Sequence, residues 1–181
     1  GSDTTDHFEA TGIKSVCEKL GVKLVDLKRT KDIVYVETRG GKTLKRVKVY
    51  KLAYDADVII CVPKLKRHNE AIVTVSLKNM MGIIPDDEKG KFHVLGLHQC
   101  IADLNSVFKP DLIVVDATRV MTKSGPGLGT MVQGDMILAS GDPVAVDFLS
   151  AIQLFKLEGY EEAVSIKTAA NVPHIKNAAD M

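Results

Sequence analysis

Three short apolar runs predict strands in the middle and second half of the chain. The runs are Val58–Val62, Leu112–Val115 and Met136–Ala139. Continuous apolar runs of this length are typical of strands that are buried on both faces. No internal repeat or low-complexity segment accompanies them.

Helical patterns alternate with these runs. The clearest covers residues 97–108, where apolar residues recur at helical spacing. They are Leu97, Ile101, Leu104 and Phe108. Asp142 and Pro143 are a suitable N-cap and first residue for a helix that ends near Leu157. Shorter helices are expected over 10–20 and 161–170. Buried strands that alternate with helices indicate an α/β fold.

The first third of the chain predicts shorter elements. A strand is expected over Val22–Leu27, followed by a hairpin of Ile33–Glu37 and Leu44–Tyr50 around the glycine-containing turn at 39–42. Residues 69–81 combine a β-branched run with a helical pattern, so both readings stay open. The predicted fold is a mainly parallel or mixed central sheet flanked by helices, with an antiparallel basic hairpin.

Length and apolar content indicate one domain. The chain has 181 residues, of which 45% are hydrophobic, and domains are commonly about 100–200 residues long. Residues 1–9 are expected to be a tag scar and a frayed terminus, and residues 10–181 a single α/β domain. The longest apolar runs fall far short of the roughly 20 residues that a membrane span needs, so no membrane partner is expected.

The net charge of +1 conceals an uneven distribution of charge. Residues 14–51 hold twelve Lys or Arg against four Asp or Glu, whereas residues 103–181 hold six against ten. The basic segment makes nucleic-acid binding an alternative function. Strand alternation separates Lys45 from Arg46 and Lys48, and aromatic residues are only 5% of the chain. Both observations make nucleic acid an unlikely partner.

The cysteines predict no metal cluster. Cys17, Cys61 and Cys100 are far apart, and no C-x-x-C pair exists. This chain therefore offers no iron–sulfur ligands, and free thiols in a reducing cytoplasm are expected.

The most informative segment follows the first buried strand. Ligands of open α/β sheets bind beyond the carboxyl ends of strands, and Pro63 to Asn69 carry four cationic or titratable groups there. Lys64, Lys66 and His68 would point the same way if the segment stays extended. Lys78 and Asn79 could add a cation and an amide. These residues predict a site for a small anion, with a solvated basic loop as the alternative.

Histidines and one aspartate supply candidate chemistry. His68 and His93 could transfer protons, and Asp116, which follows the Leu112–Val115 strand, could orient a histidine or bind a cation. His93 is expected in a loop and His98 at a helix start. Candidate ligands of a divalent metal are His68, His93 and His98, with ordinary surface histidines as the alternative.

A glycine-rich segment could contact the ligand. Gly125, Gly127 and Gly129 alternate with other residues and match neither a dinucleotide fingerprint nor a Walker A motif. Glycines can present backbone N–H groups to anions. A tight or mobile turn is the other reading.

Several segments together resemble the family called domain of unknown function 362. They are Asp57 to His68, Val73 to Gly82, His93, Val115-Asp116 with Gly125-Pro126, and Ser140 to Asp147. The resemblance implies a prokaryotic, cytoplasmic protein. Many relatives carry ferredoxin-type iron–sulfur modules, whose cysteines are missing here. The resemblance also implies that this chain is a short or truncated member, because the family's lysine-proline-asparagine element is missing.

Three functions follow from these observations. The first is an enzyme or enzyme domain that binds a small anionic molecule, with or without a divalent metal, at the carboxyl edge of the sheet. The second is a non-catalytic accessory module of an iron–sulfur or redox partner, for which the run Met80, Met81, Ile83 and Ile84 would be exposed. The third is nucleic-acid binding through residues 14–51.

Overall fold

A computed structural model describes residues 4–181, which divide into two compact units, 4–32 and 33–181. The first unit contains α1 (Thr4–Ala10), α2 (Ile13–Leu20) and a short 3-10 helix. Residues 4–9, expected to be frayed, therefore all belong to a helix, and the expected tag scar lies outside the described residues. The domain boundary expected after residue 9 stays a prediction.

The strand predicted over Val22–Leu27 is wrong. The 3-10 helix begins at Leu27, and the side chain of Asp26 accepts a hydrogen bond from the backbone N–H of Lys28. An Asp that caps a turn in this way competes with strand formation.

The second unit begins with the predicted basic hairpin. Strands β1 (Ile33–Glu37) and β2 (Arg46–Tyr50) are antiparallel and are followed by α3 (Lys51–Tyr54). The guanidinium of Arg46 lies 5.2 Å from the centre of the Tyr35 ring on the exposed side of this hairpin.

The central sheet has five strands. They are β3 (Ile60–Cys61), β4 (Lys64–His68), β5 (Ile72–Thr74), β6 (Leu112–Thr122) and β7 (Thr130–Ser140). Strands β3 and β4 run parallel to β6, whereas β5 pairs with β4 and β7 pairs with β6 in antiparallel fashion. The predicted α/β fold, with a mixed sheet and an antiparallel hairpin, is confirmed.

The second unit also contains a 3-10 helix, Met80–Ile83, and is completed by six α-helices. They are α4 (Ser76–Asn79), α5 (Asp86–Leu95), α6 (Leu97–Asn105), α7 (Pro143–Leu157), α8 (Glu162–Ala170) and α9 (Pro173–Ala179). Asp142 caps α7 as predicted, because its carboxylate accepts the N–H groups of Val144 and Ala145. Helix α7 packs on β4, β6 and β7, and one core extends through the sheet and helices α4 to α9.

Further sequence expectations about the strands are wrong. Val58, Ile60 and Val62 are 62%, 58% and 66% exposed, so this segment has one open face rather than two buried ones. The segment after Pro63 is not a loop beyond a strand: Lys64–His68 is β4 itself. Lys64–His68 stays extended because β4 continues along β6 where β3 ends.

Candidate functional site

A cleft of about 370 Å³ brings together five of the predicted site residues. They are Lys66, His68, Lys78, Asn79 and His93. Strand β4 supplies the first two, α4 the next two and α5 the last. The extended conformation of β4 places Lys66 and His68 on the same face, as the sequence predicts for an extended segment. His93 lies in the last turn of α5, not in a loop.

His68 is held in one orientation by the backbone. Its Nδ1 accepts hydrogen bonds from the N–H groups of Glu70 and Ala71, at 3.2 and 3.0 Å. Burial, followed by the nearby ammonium of Lys78, lowers the pKa of His68 to about 4. The imidazole is therefore neutral near pH 7, with its proton on Nε2.

The lysines of the cleft differ in whether a carboxylate neutralises their charge. Lys89 also lines the cleft and lies 2.9 Å from a carboxylate oxygen of Asp86. Within residues 4–181, neither Lys66 nor Lys78 forms an ion pair. Burial, and then the charge of Lys66, lower the pKa of Lys78. An anion in the cleft would supply the opposite charge that these two ammonium groups lack.

Glu70 connects three histidines and was not found from the sequence. Its carboxylate lies 2.7 Å from Nδ1 of His93, its N–H donates to His68, and His98 hydrogen-bonds its backbone. The position of Glu70 in the turn between β4 and β5 makes these contacts possible. The only signal in the sequence is its place two residues after His68.

Thr74 forms part of the floor of the cleft and pairs with Lys66 across β4 and β5. It is 8% exposed, and its hydroxyl has no hydrogen-bond partner among the described residues. Buried hydroxyl groups are usually hydrogen-bonded. Rotation about χ1 would exchange the hydroxyl and methyl positions, so Thr74 could offer a donor to a ligand.

Lys64 and Asp116 lie outside the group that lines the cleft. Their side chains join directly, at 2.6 Å, across the paired strands β4 and β6. Hydrogen bonds from Lys64 and then Thr118 lower the pKa of Asp116 to about 2. Asp116 lies within β6, not after its end, and its carboxylate is already paired with the Lys64 ammonium.

The whole arrangement lies in a region that matches a known family. The family model described as "Domain of unknown function (DUF362)" matches residues 1–151, which is most of the chain. The chain belongs to the DUF362 family. One similar protein is the Thylakoid-associated protein sll1697 of Synechocystis sp., with 30% identity over 130 residues. That match covers 65% of this chain and 40% of the relative, so the chain spans less than half of the relative's length.

The glycine-rich segment of this DUF362 chain is the turn between β6 and β7. A Cβ at Gly125 would overlap the carbonyl oxygen of Arg67 in β4, and one at Gly129 would overlap the carbonyl oxygen of Ser124. Gly127 has open space around it. The neighbouring Pro126 lines the cleft, whereas the three glycines are not among its lining residues.

His98 pairs with a histidine that has no part in the site predicted from the sequence. Its Nδ1 lies 3.2 Å from Nδ1 of His174 in α9, and the two rings are stacked. His174 is fully buried, and burial lowers its pKa to about 3. It lies beyond residue 151, where the DUF362 match ends.

In this DUF362 chain, His68 and His93 are hydrogen-bonded to Glu70, and His98 is hydrogen-bonded to His174. Across residues 4–181 no group of three or more His, Cys, Asp or Glu side chains could hold a metal ion. The same residues contain no helix that is long and apolar enough to cross a membrane. Met80, Met81 and Ile84, which the accessory-module hypothesis requires to be exposed, are buried.

Proposed function

We propose that this DUF362 chain binds a small oxyanion, of the phosphate or carboxylate type, in the cleft between β4, α4 and α5. The observation that carries the proposal is the convergence of three lysines with a fixed, neutral imidazole donor on one cleft. The lysines are Lys66, Lys78 and Lys89, and the imidazole is that of His68. Charged and neutral donors together are the groups that recognise oxyanions.

The electrostatics of Lys78 support the proposal. Its ammonium is half-buried and faces Lys66, and both conditions lower its pKa. A bound anion would relieve the repulsion between these two charges and replace the water that burial removes. Asn79, at the end of the same helix, would orient the anion through its side-chain amide.

The test is a phosphate titration followed by NMR of the backbone amides. Lys78→Met keeps most of the length of the side chain and removes its charge. We expect about tenfold weaker phosphate binding, because hydrogen bonds to charged groups contribute about 1.5–3 kcal/mol. Lys167→Met, at an exposed position on α8, is the matched control and should leave the affinity unchanged. Equal affinity in both variants would contradict the proposal.

Catalysis of a reaction on the bound anion is the second part of the proposal, with His93 as the group that transfers protons. A divalent metal ion could be held together with the anion, with His93 or His98 as the candidate ligand, because the lone pair of a neutral His68 already accepts two backbone N–H groups. Elemental analysis of the purified protein checks that point. No step of the proposed anion binding depends on the metal.

A docking function is the second candidate. Apolar side chains on the open face of the sheet favour it, because large exposed patches often mark interaction sites. Ile60 and Ile137 are 58% and 67% exposed. An iron–sulfur or other redox protein of the cytoplasm is the proposed partner. Binding of a ferredoxin that Ile137→Lys leaves unchanged would count against docking at this face.

A further inference from the structure

We infer that the cleft selects an oxyanion that carries a proton, such as hydrogen phosphate, over one with acceptor oxygens alone, such as sulfate. The inference rests on the proposed anion binding and concerns the specificity of the same site. It follows from two histidines of the cleft, His68 and His93, whose partners fix them in opposite tautomers.

His68 is the donor of this pair. Two backbone N–H groups point at its Nδ1, from Glu70 and Ala71. A proton on Nδ1 would face two other donors, so a neutral His68 must carry its proton on Nε2. The low pKa of His68, about 4, agrees with a neutral ring over a wide pH range. His68 can therefore donate to an oxygen of the ligand but cannot accept from it.

His93 is the acceptor. Its Nδ1 lies 2.7 Å from the carboxylate of Glu70, and an ionised carboxylate can only accept hydrogen bonds. The proton of a neutral His93 therefore resides on Nδ1. The ring lines the cleft, and Nε2 with its lone pair is the nitrogen that remains for a ligand. Glu70 is a positioning residue, because it acts on the ligand through His93.

A comparison of hydrogen phosphate with sulfate tests the need for a proton on the ligand, because the two anions have the same charge and shape. At about pH 8 both are tetrahedral dianions, but hydrogen phosphate retains one P–OH group. That hydroxyl can donate to Nε2 of His93 while another phosphate oxygen accepts from Nε2 of His68. Sulfate offers His93 only lone pairs, so one contact becomes repulsive. The specificity therefore arises from weaker binding of sulfate, whose lone pair faces that of His93.

The experiment compares phosphate and sulfate binding by calorimetry at about pH 8 and constant ionic strength. We expect the wild-type chain to prefer phosphate by about fivefold, the ratio that one net hydrogen bond at the half-exposed His93 produces. Glu70→Gln lets the amide donate to Nδ1 of His93, which permits the other tautomer. We expect its preference to fall to about twofold. Glu161→Gln, at an exposed position, should keep the wild-type ratio.

Nitrogen-15 NMR of the histidine rings gives a second measurement that a purely structural role of Glu70 would not change. The expected signature is a proton on Nδ1 of His93 and on Nε2 of His68, with a mixed state of His93 only in Glu70→Gln. Amide spectra of the variant establish that it is folded. Equal binding of the two anions, or a proton on Nε2 of wild-type His93, would overturn the inference but not the anion site. Binding of neither anion would overturn both.

Discussion

Asp103 and Asp147 are fully buried, yet each accepts hydrogen bonds from the backbone of a distant segment. Asp103 in α6 receives the N–H groups of residues 42–44. Asp147 in α7 receives those of Ser76 and Leu77, at 2.8 and 3.1 Å, and so holds the start of α4. That helix carries Lys78, so one side of the cleft depends on a carboxylate that never touches it.

Buried single residues also determine how stability depends on pH. His174 has a pKa of about 3 in the folded chain, mainly because it is buried and then because of His98. The ordinary value of about 6.5 applies to the unfolded chain. The unfolded chain therefore takes up the proton first, and the free energy of unfolding falls as the pH drops from about 6.5 towards 3.

His174→Phe removes this titration. Between pH 7 and 4.5 we expect the free energy of unfolding of the variant to fall by about 2 kcal/mol less than that of the wild type. Urea unfolding at a series of pH values measures the difference. Parallel pH curves for His174→Phe and wild type would show that His174 is not held neutral by burial.

Single elements show what the sequence could predict. Helix α7 and the hairpin β1–β2 were predictable, because caps, apolar period and turn glycines are local signals. Strand β4 was not, because three of its five residues are basic and pairing with β6 on one side and β5 on the other keeps it extended. Helix α5 was missed for a similar reason: it has a weak apolar stripe, and Phe92 is its one buried apolar residue.

The residues of the candidate site also differ in whether a local sequence signal identifies them. The local pattern was sufficient to predict that Lys66 and His68 share one face of an extended segment, and Lys78 lines the same cleft. Glu70 and Thr74 carry no local signal, because their importance comes from pairing between β4 and β5. The helical period places Asp103 on the polar side of α6, whereas the structure buries it against the loop before β2. The apolar period of a helix predicts on which side a residue lies, but it does not predict which other segment packs against that side.

The turn between β6 and β7 packs closely against the end of β4. The N–H of Asn69 donates to the carbonyl of Gly125, and a Cβ on Gly125 would overlap the Arg67 carbonyl. We expect Gly125→Ala to lower the free energy of unfolding by about 2–3 kcal/mol, as overpacking against backbone does. Phosphate binding should also weaken, because Pro126 lines the cleft.

Gly127→Ala is the matched control for this turn. Gly127 is exposed, and its Cβ would meet open space, so we expect a change within about 0.5 kcal/mol. Urea unfolding and phosphate titration of both variants make the comparison. If Gly125→Ala behaves like Gly127→Ala, the turn does not hold its position through close packing against β4.

On the scale of the whole molecule, the two units differ in how they are stabilised. Neither helix of the first unit has a buried residue in its described part. The hydrophobic core lies wholly between Leu44 and Ile175, with further apolar side chains from Val34 to Ala178 packed against it. Every residue that lines the cleft also lies in the second unit, between Lys66 and Pro126. The second unit therefore contains both a complete core and the complete candidate site.

We therefore expect a fragment of residues 33–181 to fold and to bind phosphate within about twofold of the full chain. A domain of this length with its own core commonly folds alone. A cooperative urea transition and a phosphate titration, both compared with the full chain, are the measurements. A fragment that folds cooperatively but has lost phosphate binding would show that residues 1–32 contribute to the site. A fragment without a cooperative transition would show that they contribute to the stability of the second unit.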